Sequence, residues 1–105
     1  MREISITELQ NLKIGQAENA RAGTGCTVFL LGENGAPVGL DVRGGGPASR
    51  ESELLKPTAA AQVIHAILLG GGSAFGLDAA GGVMRYLEER GIGFDVGVTK
   101  VPLVC

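Results

Sequence analysis

Glycine constrains the folding of this chain more than any other residue type. Eighteen of the 105 residues are glycine, about 17% against a usual level of about 7%. Aromatic residues make up only 4%, and tryptophan is absent. At this length about a third of the unfolded chain's surface stays exposed after folding, so little side-chain mass is available for a self-sufficient core. We therefore expect the chain to be part of a larger structure.

Composition and charge argue against several classes of protein. Hydrophobic residues make up 45% and charged residues 19%, so the chain can bury enough apolar surface to fold. The formal net charge is −2, whereas nucleic-acid-binding proteins normally carry a basic excess. No apolar run reaches the roughly 18 residues of a membrane span, and residues 1–5 lack an apolar signal core. Cys26 and Cys105 lie far apart and there is one histidine, so we expect a reduced, cytoplasmic protein without a metal site.

Short strands are predicted near both ends of the chain. Residues 4–9 and 12–14 alternate apolar and polar side chains, which is typical of half-buried strands. The polar, glycine-containing residues 17–25 are predicted to form an exposed loop. Residues 92–96 predict a final strand, and residues 101–104 predict the start of another.

A β-hairpin is predicted over residues 26–43. Residues 26–31 are apolar or β-branched, and residues 37–43 alternate as a returning strand would. Between them stands Asn34-Gly35, the strongest short hairpin signal because both residues tolerate positive φ.

A strand, a glycine-rich turn and a helix are predicted over residues 62–90. Residues 62–69 form a nearly continuous apolar run, the pattern of a strand buried on both faces. Ser73 is a candidate N-cap for an amphipathic helix over 74–90, and Gly91 is a natural end for it. The apolar positions of this helix recur at steps of three and four: Leu77, Ala80, Val83, Met84 and Leu87. The element order indicates a mixed α/β (α+β) fold in a single segment, 1–105.

The turn that runs from Gly70 to Gly76 has two interpretations. A glycine-rich turn that leads into a helix can present N–H groups to a phosphate, a carboxylate or an oxyanion. The turn lacks the lysine of a phosphate-binding loop, and Phe75 departs from the dinucleotide-binding pattern. The other interpretation is a tight turn where backbone segments approach closely, which is the commoner use of such glycines.

The loop that begins at Gly44 is flanked by arginines and also has two interpretations. Arg43 and Arg50 could hold a carboxylate in the fork of a guanidinium. The more common arrangement is an ion pair in which Asp41 and the two arginines tie down the loop.

No complete catalytic set emerges from the residues alone. Cys26 and His65 could form a thiol–imidazole pair, but each lies in an apolar strand, which favours an inert thiol and a core histidine. Ser73 lacks the glycine that a nucleophile elbow needs two residues later, because Phe75 occupies that position.

Several motifs occur together and in a fixed order along nearly the whole chain. They lie at residues 24–28, 39–45, 50–51, 65–66, 71–80 and 82–91. Together they resemble the N-terminal part of the DmpA-like aminopeptidases, which include L-aminopeptidase/D-esterases and β-peptidyl aminopeptidases. The block Gly-Gly-Ser-Ala-Phe-Gly-Leu-Asp-Ala-Ala at 71–80 is the most specific of these motifs.

The resemblance implies a self-processing hydrolase with an α/β/β/α layered fold like that of N-terminal-nucleophile enzymes. The implied precursor cleaves itself before a Ser or Thr, which then acts as nucleophile with its own α-amine as base. Implied substrates are peptides, amides or esters with a free N-terminus, no cofactor is needed, and the subunits form homo-oligomers.

Because the nucleophile of that family lies beyond the point that matches Cys105, no catalytic residue is assigned in this chain. We expect a fragment or truncated relative that is inactive alone and is completed by a nucleophile-bearing chain or by self-association. The candidate substrate-pocket residues are Gly71, Gly72, Ser73, Phe75 and Arg43. The alternative is a small stand-alone, oligomeric module that binds an anion or another ligand at the turn from Gly70 to Gly76.

Overall fold

A three-stranded antiparallel sheet organises the chain, which a computed structural model describes over residues 1–105. Its strands are β1 (Lys13–Asn19), β2 (Thr24–Leu30) and β3 (Ala66–Gly70), in the order β1-β2-β3. Ala17 pairs with Cys26 across the first ladder, and Leu30 pairs with Ala66 across the second. The central strand β2 is therefore hydrogen-bonded on both edges.

One helix covers one face of this sheet. A 3-10 helix, Ser73–Ala79, leads directly into α1, Ala80–Glu88. Ala66, Ala80, Leu87 and Val104 form the buried cluster between helix and sheet. Partly buried hydrophobic residues pack around this cluster: Val28, Leu30, Leu68, Val83, Met84 and Ile92.

The helical spacing of apolar residues is confirmed over 80–88, and the helix ends as the sequence predicts. The N–H of Gly91 donates to the carbonyl of Glu88 at 2.9 Å, and the N–H of Ile92 donates to that of Leu87 at 3.0 Å. These two bonds form the Schellman arrangement that satisfies the last carbonyls of a helix.

The last residues of the chain pair with the outer edge of β3. After the short hairpin of β4 (Phe94–Asp95) and β5 (Lys100–Val101), Val104 forms a parallel bridge with Ala66. The Cys105 N–H donates to the Ala66 carbonyl at 3.1 Å, and the Leu68 N–H donates to the Cys105 carbonyl at 2.7 Å. Beyond Leu68 this edge of β3 opens onto a cavity.

The predicted hairpin over 26–43 is wrong. Residues 37–43 form no strand, because both edges of β2 are occupied by β1 and β3. The turn signal at Asn34-Gly35 does produce a turn, in which the Gly35 N–H donates to the Gly32 carbonyl at 3.2 Å. After this turn the chain makes one isolated bridge, Ala36 to Ile64, and then leaves the sheet.

The N-terminal predictions also need correction. Residues 4–9 contain a 3-10 helix, Ile6–Glu8, because Ser5 and Glu8 form a capping box in which each side chain accepts a backbone N–H. Residues 17–25 are not one loop, since they include the end of β1, a tight turn and the start of β2.

The fold is mixed α/β with antiparallel pairing, as expected, but its core is small. Seven of the 105 residues are buried, and the accessible surface is 7778 Å². A compact monomer of 10.7 kDa exposes about 5,500 Å². The chain therefore leaves about 2,300 Å² more surface in solvent than a compact monomer of its mass.

No helix combines the length and the apolar character that crossing a membrane would require.

The turn after β3 depends on close backbone contact. A Cβ on Gly76 would lie 2.1 Å from the carbonyl oxygen of Gly71, a distance that no packed side chain tolerates. The Gly71 N–H donates to the Gly25 carbonyl at 2.8 Å, which holds the same turn against the start of β2. The glycines of this turn thus fix where the helical segment starts.

We expect Gly76→Ala to lower the free energy of unfolding by at least about 1–3 kcal/mol, because the added methyl group overpacks a backbone contact. Gly82→Ala is the matched control, since a Cβ at this position in α1 meets nothing within 4 Å. Alanine there should raise the free energy of unfolding by up to about 1 kcal/mol through helix propensity. Urea denaturation measures both values, and equal stability of the two variants would contradict this account of the turn.

Candidate functional site

The end of the glycine turn combines two residues in the left-handed region. Gly72 has φ 91° and Ser73 has φ 59°. Gly72 rather than Ser73 occupies the N-cap position, and no side chain caps this 3-10 helix, so the predicted N-cap role of Ser73 is wrong. A non-glycine residue held at positive φ costs about 1–3 kcal/mol, and such strain clusters at functional sites. The conformation of Ser73 therefore indicates a candidate functional site at this turn.

A cavity of about 430 Å³ lies beside this turn, at the open edge of β3. Its wall is built from the start of the helical segment, the loop before Arg50, β3 and Cys105. Most of the lining side chains are hydrophobic, among them Leu40, Leu55, Ile64, Ile67, Leu69 and Leu77. Polar groups come from few positions: Ser49, Arg50, Ser73 and Cys105.

Arg50 is the only charged side chain in the wall of this cavity. Its Nη2 donates to the sulfur of Met84 at 3.1 Å, and its Nε is buried without a hydrogen-bond partner. The three ion pairs of the chain do not include it. The predicted ion-pair network is therefore confirmed only in part: Arg43 pairs with Asp41 at 2.7 Å, while Arg50 turns inward.

Cys105 also lines the cavity, beside the backbone of Glu51, and is a poor nucleophile. Its Sγ lies 3.8 Å from the carbonyl oxygen of Glu51. Burial raises the pKa of the Cys105 thiol, the Glu51 carboxylate raises it further, and the Arg50 guanidinium opposes both effects. Because the thiolate is the reactive form, a raised pKa leaves this thiol protonated at neutral pH.

His65 is a satisfied core residue, as the more conservative interpretation predicted. Its side chain is only 4% exposed, and its Nδ1 accepts the Leu103 N–H at 3.1 Å. Burial lowers the pKa of His65, so the imidazole is neutral at physiological pH. The Leu31 N–H donates to the His65 carbonyl at one end of β2, whereas Cys26 pairs with Gly70 near the other end. The intervening length of strand separates Cys26 from His65 by about 17 Å. The thiol–imidazole pair is therefore wrong.

The structure does not bring the predicted pocket residues together in one place. Ser73 lines the cavity, together with Gly70 and Gly76. Gly71 and Gly72 line a neighbouring cleft of about 370 Å³ between the turn and the β1–β2 connection. Whether these residues contact a substrate stays a prediction.

Phe75 and Arg43 lie away from the cavity wall. Phe75 is 92% exposed, and the side chain of Arg43 is 86% exposed where it pairs with Asp41. Both positions stay predictions of substrate contact.

Sequence reasoning raised Arg50 as a residue that could hold a carboxylate, but it missed Cys105. Arg50 reaches Met84, 34 positions away, and Cys105 pairs with β3, so no local pattern places the two in one wall. No three His, Cys, Asp or Glu side chains come together in a group that could hold a metal ion.

The anion-binding interpretation of the turn loses one donor. The Gly71 N–H already bonds to the Gly25 carbonyl, so it is not free to receive an anion. The close-approach interpretation accounts for Gly71 and Gly76, since each would bring a Cβ within 3 Å of another residue's atoms.

Known proteins are similar to this chain along almost its whole length. The family model described as peptidase family S58 matches residues 5–105. Proteins named uncharacterized aminopeptidase from Mycobacterium tuberculosis (strain H37Rv) and Mycobacterium bovis are each 42% identical over 109 residues. A protein of the same description from Mycobacterium leprae is 41% identical. These alignments cover 95% of this chain but only 30–31% of the relatives, so the chain spans less than a third of their length.

We expect the free energy of unfolding to fall as the pH drops from about 7.5 to about 5.5. The folded state keeps His65 neutral below its usual pKa near 6.5, whereas the unfolded chain takes up the proton there, so acid favours unfolding. His65→Asn keeps an acceptor for the Leu103 N–H and removes the titrating group. Urea denaturation at both pH values should show a smaller fall for the variant, and an equal fall would contradict the assignment.

Proposed function

The chain belongs to peptidase family S58, and we propose that it forms the N-terminal scaffold of a self-processing aminopeptidase whose nucleophile is carried by another part of the enzyme. The family match confirms the resemblance to the DmpA-like aminopeptidases that the motifs indicate. The observation that carries the rest of the proposal is the apolar face of the sheet opposite α1.

That face shows a continuous apolar row across all three strands. Ile14 of β1 pairs with Phe29 of β2, and Phe29 pairs with Ile67 of β3. Side chains alternate between the two faces of a strand, so these three residues point away from the side that carries Val28, Leu30 and α1.

Leu69 extends this row and is 58% exposed. Each strand contributes to the row, and no helix of the chain packs on it. In a layered α/β/β/α fold, this is the face against which a second sheet packs, about 10 Å away. The large accessible surface of the chain has the same explanation, because a second layer would cover it.

The proposed reaction is transfer of an aminoacyl group to water. The hydroxyl of a Ser or Thr in the other part attacks the carbonyl carbon of the scissile amide, and its proton passes through the α-amine to the leaving nitrogen. Water then hydrolyses the acyl-enzyme ester, which releases the acid and restores the hydroxyl. No metal or organic cofactor takes part in this proposal.

Neither Cys105 nor His65 is a substitute for that nucleophile. The Cys105 thiol is held protonated, and His65, the single imidazole, is buried with its Nδ1 occupied. The proposed role of the chain is therefore to support the sheet and to line the pocket near Ser73. Its proposed partners are the nucleophile-bearing part, further copies in a homo-oligomer, and small peptides or amides with a free N-terminus.

A chimera tests the scaffold role. In the chimera, residues 5–105 replace the matching segment of the Mycobacterium tuberculosis relative. We expect the chimera to cleave itself and to hydrolyse an aminoacyl-nitroanilide at a rate within about tenfold of that of the parent protein. The reason is that a shared fold presents the same sheet face. Intact mass reports cleavage, and absorbance reports turnover. The 105-residue chain alone should give no saturable turnover. Saturable hydrolysis by the chain alone would contradict the proposal, as would a chimera that folds but does not process.

A single substitution tests the sheet face. In the same chimera, Leu69→Glu should reduce processing and turnover at least tenfold, because it places a charge between the two proposed sheets. Val98→Glu is the matched control, since Val98 is 95% exposed in the connection between β4 and β5. This variant should keep processing and turnover within twofold of the unsubstituted chimera. Equal effects of the two substitutions would show that this face is not covered.

A further inference from the structure

Arg50 carries a charge that the chain does not compensate. A guanidinium has five N–H donors, and those of Arg50 have one weak acceptor, the sulfur of Met84. Its Nε is buried without any partner. A buried, unpaired donor on a charged group is costly, so such a group is normally matched by a carboxylate or another anion. Glu51, the next residue, does not form that pair.

The cavity beside Arg50 has the size and the lining of a small-molecule site. Its volume of about 430 Å³ falls within the roughly 300–1,000 Å³ of typical ligand pockets. Arg50 and Ser73 supply polar groups, and side chains such as Ile67 and Leu77 supply an apolar wall. No Asp or Glu side chain lines it. A ligand that fits this distribution has one anionic end and an apolar body.

We propose that the Arg50 cavity binds a small carboxylate with a branched aliphatic group. The carboxylate would accept from the terminal Nη–H groups of Arg50, the paired donors that a guanidinium offers end-on, because Nε is closed to the cavity. The aliphatic group would occupy the apolar part of the cavity. This ligand differs from the free N-terminal amine that the proposed function requires, so the inference does not rest on that function.

Calorimetric titration of the chain with 4-methylpentanoate tests the proposal, and 4-methylpentanamide is the uncharged control. We expect saturable binding of the acid and at least tenfold weaker binding of the amide, because the amide cannot neutralise the guanidinium. Arg50→Gln should weaken binding of the acid at least tenfold. Arg90→Gln is the matched control, since Arg90 is exposed and lies beside Glu89 at the end of α1, outside the cavity, and it should change the affinity by less than twofold.

Arg50→Lys provides a second variant, since it keeps the charge and removes the planar fork. It should bind the acid at least threefold more weakly, while circular dichroism shows an unchanged fold. The proposal is overturned if the acid does not bind saturably, if the acid and the amide bind equally, or if Arg50→Lys folds and binds as the wild type does.

The same titration on the chimera separates a free ligand from a protein carboxylate. Retained binding of the acid supports a small-molecule site. Loss of binding only in the chimera would overturn the proposal, because another part of the enzyme would then cover or fill the cavity. Failure of the chimera to hydrolyse substrate would count against the proposed function without affecting the titration of the chain alone.

Discussion

The backbone contact inside the turn after β3 determines how the rest of the structure is arranged. Gly76 lies so close to the Gly71 carbonyl that neither the turn nor the helical segment can shift without breaking the contact. The bond from Gly71 to Gly25 ties the same turn to β2. As a result α1 returns over Ala66 and Leu68, and an opening remains at the far end of β3. The same contacts of the turn thus position both the buried core and the cavity.

The cavity and the sheet face opposite α1 share residues, which links recognition to assembly. Ile67 belongs to the apolar row and also lines the cavity, and Leu69 does the same. A second layer of structure on that face would therefore form part of the cavity's surroundings. Its presence would make the cavity drier and strengthen any interaction made by Arg50, because electrostatic interactions grow as water is excluded.

The sequence predicted those parts of the fold whose signals are local and uncontested. The apolar spacing from Ala80 to Leu87 and the end at Gly91 were sufficient for the helix, since both depend on neighbours within two turns. The hairpin over 26–43 failed because a local turn signal cannot reveal that β1 and β3 already occupy both edges of β2. For Arg50 the sequence left a carboxylate-binding role and a loop ion pair both open, because nothing near it in the chain indicates that it reaches Met84.

The pairing of residues 103–105 with β3 has a consequence for the order in which the molecule forms during synthesis. Leu68 finds its acceptor at Cys105, 37 positions later, so one edge of β3 stays open while the intervening residues are made. At about 5–20 residues per second, that interval lasts roughly 2–7 s, much longer than a hairpin needs to form. A nascent chain therefore holds β1, β2 and an exposed β3 edge near the ribosome for seconds. During that interval the backbone groups on the β3 edge that residues 103–105 later occupy lack their partners.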